Sequence, residues 1–113
     1  MFKKLTKPYI IAEISGNHNG SLERAKELIN LAQANGADCV KIQTYSPDTM
    51  TIKSNKEDFL INKSSPWAKH NSIYQLFEKT YLPWEWHSDI FKLANKYKKK
   101  FNLKIGVLTF EPM

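Results

Sequence analysis

A short strand–helix–strand pattern constrains the fold of this chain more than any other feature. Residues 9–14 read Tyr-Ile-Ile-Ala-Glu-Ile, a nearly apolar run that predicts a strand covered on both faces, as in a parallel sheet. A polar turn and a helical pattern follow at once, and residues 39–45 predict a second strand. Strand, helix and strand in such close succession predict a βαβ unit with two parallel strands and a right-handed crossover.

The helix between the two strands carries its own start and stop signals. We expect it to run from about Ser21, a suitable N-cap, to Asn35, with Gly36 free to adopt the left-handed conformation that ends helices. Its apolar positions share one helical face, formed by Leu22, Ala25, Leu28, Ile29 and Ala32.

The second half of the chain predicts a long connection and one more helix–strand pair. Residues 46–72 read as a loop, which is long for a compact domain and suggests a functional excursion or an insertion. A short helix is expected over residues 72–79, and Pro83 is expected at the first position of a helix that reaches about Lys99. The apolar face of this helix comprises Trp86, Ile90, Leu93, Ala94 and Tyr97. Residues 103–110 predict a third strand.

Composition and charge exclude several classes of protein. With 113 residues, 42% hydrophobic and 25% charged, the chain predicts one small globular domain without a membrane span. The net charge of +6 suggests nucleic acid, but the lysines cluster near the two ends without interleaved aromatic residues, so we expect a solvated surface and no nucleic-acid partner. The single cysteine, Cys39, and the absence of a signal-peptide pattern predict a cytoplasmic protein.

Strand alternation predicts a charged pair at one end of the sheet. In the second strand Lys41 and Gln43 point to one side, whereas the apolar residues Val40 and Ile42 point to the helices. Glu13 occupies the matching level of the first strand, near the carboxyl ends where ligands gather in such units. The pair is therefore either an anion-binding subsite beside a carboxylate that handles a polar substrate, or a structural ion pair.

The polar turn that follows the first strand offers further candidates, each with a plain structural alternative. His18 can serve as a ligand-binding residue, but a single histidine in a turn is more often a cap or a hydrogen-bond partner. Asn17 and Asn19 are, by default, turn residues that tolerate left-handed backbone. The sequence contains no His, Cys and Asp cluster at metal-ligand spacing, so no metal ligand is predicted in this chain.

Two motifs resemble the start of the sialic acid (nonulosonic acid) synthase family. Residues 12–18 read Ala-Glu-Ile-Ser-Gly-Asn-His and residues 41–44 read Lys-Ile-Gln-Thr, with Glu13 and Lys41 separated by 28 positions as in the family. Residues 43–51 and the Tyr-Leu-Pro-Trp-Glu-Trp-His run at 81–87 resemble the pseudaminic acid synthase branch in particular. The resemblance covers residues 8 to about 96.

The resemblance implies a fold and a reaction. It implies a (β/α)₈ TIM barrel followed by a small antifreeze-like domain, a homodimer for the full-length enzymes, and a divalent metal, Mn²⁺ or Mg²⁺, held by histidines further along the full sequence. In the implied reaction, C3 of phosphoenolpyruvate attacks the open-chain aldehyde of an N-acetylated amino sugar, water adds at C2 and phosphate leaves, which gives a nine-carbon sugar. The metal would activate the aldehyde as a Lewis acid.

The resemblance also implies roles for individual residues. Glu13 would be catalytic, contacting the sugar near the aldehyde and acting in proton transfer, and Lys41 would bind the carboxylate or phosphate of phosphoenolpyruvate. The remaining substrate-binding positions are Gln43, which helps to hold the sugar, Thr44 of the second motif, and Asn17 and His18, which shape the floor of the pocket.

The length of the chain departs from this family. A barrel alone needs about 250 residues, so residues 1–113 are expected to be the N-terminal part of the barrel domain, with three strands, lacking the rest of the barrel and the antifreeze-like domain. Three strands cannot close a barrel, so we expect the chain alone to be inactive as a synthase. Open alternatives are a neuraminate or legionaminate synthase fragment, a small basic binding module, and a non-functional truncated reading frame.

Overall fold

The sheet contains three parallel strands in chain order. The computed structural model describes residues 7–101 and 107–110, with residues 98–101 and 107–110 described by their main chain alone. Strands β1 (Ile11–Glu13), β2 (Cys39–Gln43) and β3 (Val107–Phe110) lie in the order β1-β2-β3. Both neighbouring pairs are parallel, which confirms the predicted βαβ unit and the mixed α/β class with a parallel sheet. The described strands form an open row, and a closed barrel is not seen.

Helix α1 (Leu22–Ala34) connects β1 to β2 and has the predicted ends. The Ser21 hydroxyl accepts a hydrogen bond from the backbone N–H of Arg24 at 3.2 Å, so Ser21 is the N-cap. Asn35 closes the helix, and Gly36 takes a φ of +83°, the left-handed conformation predicted for it. Both strands are shorter than predicted, because the parallel pairing ends at Glu13 and Gln43.

The connection after β2 has more structure than the loop that the sequence predicted. Helix α2 (Pro47–Met50) begins one residue after Ser46, and two 3₁₀ turns follow at Glu57–Phe59 and Ala68–His70. Short polar segments of this kind carry no strong hydrophobic period, so their helical turns escape a periodicity argument. Helix α3 (Ile73–Thr80), capped by Ser72, confirms the predicted short helix.

Pro83 precedes a 3₁₀ turn and not an α-helix, so the prediction of its position was wrong. The turn spans Trp84–Trp86, and helix α4 (His87–Phe101) continues directly from it. Tight 3₁₀ turns are common at the starts of α-helices. The beginning of the predicted third strand, residues 103–106, lies outside the described residues.

Helices α1 and α4 pack against the sheet and form the core with it. The buried members of the core come from the residue after β1, from α1, β2, the segment before Pro83 and α4, namely Ile14, Ile29, Val40, Ile42, Leu82 and Ile90. The predicted apolar face of α4 is confirmed, because Ile90 and Ala94 are buried and Trp86, Leu93 and Tyr97 pack against the core. Burying a large aliphatic side chain stabilises the fold by about 1.5–3 kcal/mol.

Strand β1 is not covered on both faces, contrary to the expectation from its apolar sequence. Ile10 and Ile11 are 53% and 46% exposed. The reason is topological, since β1 lies at the edge of the described sheet and has a neighbouring strand on one side only. Nowhere in the described ranges is a helix long and apolar enough to cross a membrane.

Candidate functional site

Glu13 and Lys41 form an ion pair at the carboxyl ends of β1 and β2. The parallel register places the two residues directly opposite each other. Lys41 Nζ lies 2.5 Å from Glu13 Oε2, and each side chain is 34% exposed. The two residues therefore meet as the strand alternation predicted, in a position that solvent and a small molecule can reach.

The turn that follows β1 engages the second oxygen of the Glu13 carboxylate. The backbone N–H of Ser15 donates a hydrogen bond to Glu13 Oε1 at 3.3 Å. Ser15 adopts a φ of +48°, a left-handed conformation that is uncommon for residues with a side chain. With Lys41 on one oxygen and Ser15 on the other, the carboxylate is held in a fixed orientation without being buried.

Gln43 lies on the same side of β2 as Lys41, two residues closer to the end of the strand. Its main chain pairs with Phe110 of β3, and its side chain is half-buried. Val40 and Ile42, which alternate with these residues, lie in the core. Lys41 and Gln43 thus form a polar side of β2 next to Glu13, as the sequence predicted.

Asn17 stabilises the turn after β1 through two hydrogen bonds. The Asn17 side-chain N–H donates a hydrogen bond to the Ile14 carbonyl at 2.9 Å. The backbone carbonyl of Asn17 accepts a hydrogen bond from Arg24 Nε at 2.8 Å. Both contacts fix the path from β1 into α1. The default interpretation of Asn17 as a turn residue is confirmed, and its predicted contact with a substrate stays a prediction.

His18 is fully buried beneath the turn. Its Nδ1 accepts a hydrogen bond from the Gly20 N–H at 3.0 Å, so the neutral ring carries its hydrogen on Nε2. The ring packs edge-on against Trp86, with 5.4 Å between the two ring centroids. Burial lowers the pKa of His18, while the Thr80 backbone opposes that shift. Its position in the interior supports the structural interpretation of this residue.

The side chain of Thr44 points away from the other predicted site residues. It is buried, and its hydroxyl lies 2.7 Å from His87 Nε2 at the start of α4. His87 Nδ1 donates to the Trp84 carbonyl at 2.9 Å, so the two ring nitrogens connect Thr44 to the turn before α4. The structure thus brings together Glu13, Lys41 and Gln43, and it directs Thr44 into the helix layer.

Two residues near the site were missed by the sequence argument. The Tyr45 hydroxyl lies 2.9 Å from Thr80 Oγ1, and Tyr45 packs edge-on against Phe77. Thr80 also faces Gly16, where an added Cβ would stand only 2.8 Å from the Thr80 Cβ. No local pattern could have revealed these contacts, because α3 follows β2 by about 30 residues of polar connection. The glycine at position 16 was the one available signal.

A cavity of about 300 Å³ opens between β1 and α1. Its lining is mostly apolar and shares only Glu13 and Asn17 with the predicted site. The full lining consists of Ala12, Glu13, Ile14, Asn17, Leu28, Leu31, Ala32 and Asn35. Glu13 of the ion pair lines this cavity, whereas Lys41 and Gln43 do not.

The described residues do not fit a metal site. No group of three or more His, Cys, Asp or Glu side chains comes close enough to hold an ion within residues 7–97. The carboxylate at the site already has Lys41 as its counter-ion. We therefore assign no metal ligand to this part of the chain.

These observations define a class: a parallel α/β protein with an ordered lysine–carboxylate pair at the carboxyl ends of its strands, where such folds bind small molecules. Comparison with known proteins defines the family. The profile of the NeuB family matches residues 28–103, and the chain belongs to that family.

Individual relatives agree with the family match. The chain is 52% identical to a pseudaminic acid synthase of Campylobacter jejuni over 88 residues, which are 78% of this chain and 25% of the relative. It is 45% identical to a pseudaminic acid synthase of Helicobacter pylori over 92 residues, 81% of this chain and 26% of the relative. An N,N'-diacetyllegionaminic acid synthase of Legionella pneumophila is 36% identical over 93 residues, 82% and 26% of the two chains. The chain thus spans about a quarter of these relatives.

Proposed function

We propose that this chain supplies part of the active site of a nonulosonic acid synthase of the pseudaminic acid type. The reaction would be a transfer in which phosphoenolpyruvate condenses with an N-acetylated amino sugar, water adds at C2 of the phosphoenolpyruvate unit and phosphate leaves. The observation that carries the proposal is the ion pair of Glu13 with Lys41, which lies at the carboxyl ends of two parallel strands. Identity of 45–52% to pseudaminic acid synthases supports the sugar class.

Lys41 is the anion-binding residue of this proposal. Its ammonium group donates three hydrogen bonds and carries the positive charge that a carboxylate or phosphate requires. Because Glu13 neutralises this charge in the free chain, an arriving phosphoenolpyruvate competes with Glu13 for Lys41. Binding the anion would then leave Glu13 free on the side that faced Lys41.

Glu13 is the proton-transfer residue of the proposal. Its other oxygen keeps the hydrogen bond from the Ser15 N–H, which holds the carboxylate at the end of β1. A carboxylate released from its lysine can accept a proton from a sugar hydroxyl or return one to the developing alkoxide. Gln43, on the same side of β2, would add an amide donor and acceptor for the sugar. Thr44, Asn17 and His18 would act indirectly, by shaping the strand end and the turn.

The remainder of the site would come from sequence that this chain does not span. We propose a TIM barrel in which β1, β2 and β3 are the first three strands and further βα units cover the exposed edge of β1 and the cavity beside it. A divalent metal, Mn²⁺ or Mg²⁺, would be held by residues of that remainder and would polarise the aldehyde. The complete enzyme would be a cytoplasmic homodimer with an antifreeze-like domain.

A legionaminate synthase is the alternative within the same reaction class. The 36% identity to the Legionella enzyme supports the shared chemistry, whereas the higher identity to the pseudaminic acid synthases favours their sugar. A small basic nucleic-acid-binding module has no comparable support, because the matched family is enzymatic in its named members.

Titration of the purified chain with phosphoenolpyruvate tests the proposal. We expect the amide NMR signals of Glu13 and Lys41 to shift on addition of the ligand, and Lys41→Met to abolish the shift. Lys63→Met, at an exposed lysine of the long connection, is the matched control and should bind as the original chain does. Equal binding by both variants would refute the role of Lys41. A condensation assay with the trideoxy diacetamido sugar and Mn²⁺ should give no turnover by this chain alone.

A further inference from the structure

Thr80, the last residue of α3, joins the two motif segments at the carboxyl ends of β1 and β2. It faces Gly16, three residues beyond Glu13, and it hydrogen-bonds Tyr45, two residues beyond Gln43. Helix α3 belongs to the long connection, so this segment returns to the edge of the sheet that carries the ion pair. The connection is therefore part of the surroundings of the candidate site.

The hydrogens of this junction can be assigned from the contacts. Thr80 Oγ1 lies 3.1 Å from the Leu76 carbonyl, which can only accept, so the single Thr80 hydroxyl hydrogen is donated there. The Tyr45 hydroxyl must then be the donor in its 2.9 Å contact with Thr80 Oγ1. This bond uses the single hydroxyl hydrogen of Tyr45. The Tyr45 oxygen can therefore only accept a hydrogen bond from a further partner.

The side chains of Tyr45 and its neighbour Thr44 point in different directions and contact different helices. Thr44 points into the helix layer, where it meets His87. Tyr45 instead contacts Phe77 and Thr80 of α3, and its side chain is half-buried. Burial raises the pKa of the Tyr45 phenol, so the hydroxyl stays protonated at neutral pH.

We propose that Tyr45 is a further residue of the candidate site, positioned by Thr80 so that its oxygen accepts a hydrogen bond from the amino-sugar substrate. The inference rests on the proposed function. An acceptor-only oxygen suits a sugar hydroxyl or an acetamido N–H and repels the oxygens of a phosphate or a carboxylate. Lys41 would thus bind phosphoenolpyruvate, and the oriented phenol of Tyr45 would bind the sugar.

Separate titrations with the trideoxy diacetamido sugar and with phosphoenolpyruvate test this division on the full chain. Tyr45→Phe removes one oxygen and should weaken sugar binding about three- to tenfold, the usual effect of one hydrogen bond, with phosphoenolpyruvate binding unchanged. Tyr74→Phe is the matched control, because the Tyr74 hydroxyl on α3 bonds to Asp48 instead. This control should leave both titrations unchanged.

The positioning role of Thr80 has its own readout. Thr80→Val keeps the shape but removes the acceptor of the Tyr45 hydrogen, and it should weaken sugar binding, whereas Thr80→Ser should restore it. Equal sugar binding by Tyr45→Phe and the original chain would overturn the inference, as would a loss of phosphoenolpyruvate binding in Tyr45→Phe. If the original chain binds phosphoenolpyruvate but no sugar, the role of Tyr45 fails and that of Lys41 stands. If it binds neither, the proposed function fails as well.

Discussion

Replacing Gly16 with alanine tests the contact between the first motif turn and α3. An alanine Cβ at this position would lie 2.8 Å from the Thr80 Cβ and 3.3 Å from the Thr80 carbonyl oxygen. Both Thr80 atoms are fixed to the main chain of a helix, so no side-chain rotation relieves the overlap. Either the turn or the end of α3 must move.

The cost of this substitution can be estimated from the structure. Forcing extra atoms into a packed contact costs about 1–3 kcal/mol. The φ of Gly16 lies outside the left-handed region, so alanine recovers about 0.4–1 kcal/mol by restricting the unfolded chain. We expect Gly16→Ala to destabilise the protein by about 1–2 kcal/mol, measured by urea unfolding with circular dichroism.

Two further variants distinguish the effect of steric overlap at Gly16 from the effect of backbone strain. Gly20 has a φ of +71° and open space around it, so Gly20→Ala should cost about 1 kcal/mol for a conformational reason alone. Thr80→Gly removes the overlapping Cβ and should recover much of the loss in Gly16→Ala but none of the loss in Gly20→Ala. Full additivity of Thr80→Gly with Gly16→Ala would refute the contact.

Three further substitutions test the capping, the core and the buried histidine. Ser21→Ala removes the N-cap of α1 and should lower the free energy of unfolding by about 1 kcal/mol, and an unchanged urea midpoint would contradict the cap. Ile29→Ala removes a buried core side chain, 1% exposed, and should cost about 2–5 kcal/mol, where a loss below about 1 kcal/mol would argue against the packing. Because burial lowers the pKa of His18 below 6.5, the unfolded state binds more protons below that pH. Stability should therefore be complete above about pH 6.5 and fall as the pH drops toward the lowered pKa. His18→Gln should reduce this fall, and an unchanged pH profile in that variant would contradict the assignment.

The local elements and the ion pair could be predicted because their signals lie close together in the sequence. The N-cap at Ser21 and the left-handed Gly36 indicate the two ends of α1. The alternation of residues 39–43 indicates which side chains of β2 reach the helices. Once two parallel strands are expected, the pairing of Glu13 with Lys41 follows from the register. The position of this ion pair was therefore contained in short-range patterns.

The contacts that the sequence did not reveal depend on how distant segments pack. An apolar β1 predicts cover on both faces, but cover requires a neighbouring element, and Ile11 stays exposed where the described chain offers none. Thr44 was expected at the site, yet His87, 43 positions away, takes its hydroxyl. Tyr45 and Thr80 meet for the same kind of reason, because only the folded connection brings α3 back to the strand ends.

A chimeric enzyme gives the most direct test of the central claim that Glu13 and Lys41 form half of a synthase site. The 88 residues of this chain that match the Campylobacter jejuni pseudaminic acid synthase at 52% identity would replace the corresponding segment of that enzyme. With phosphoenolpyruvate, Mn²⁺ and the trideoxy diacetamido sugar, we expect phosphate release that is lost in Lys41→Met and retained in Lys63→Met. A folded chimera that releases no phosphate, or one that works equally well with Lys41→Met, would contradict the claim.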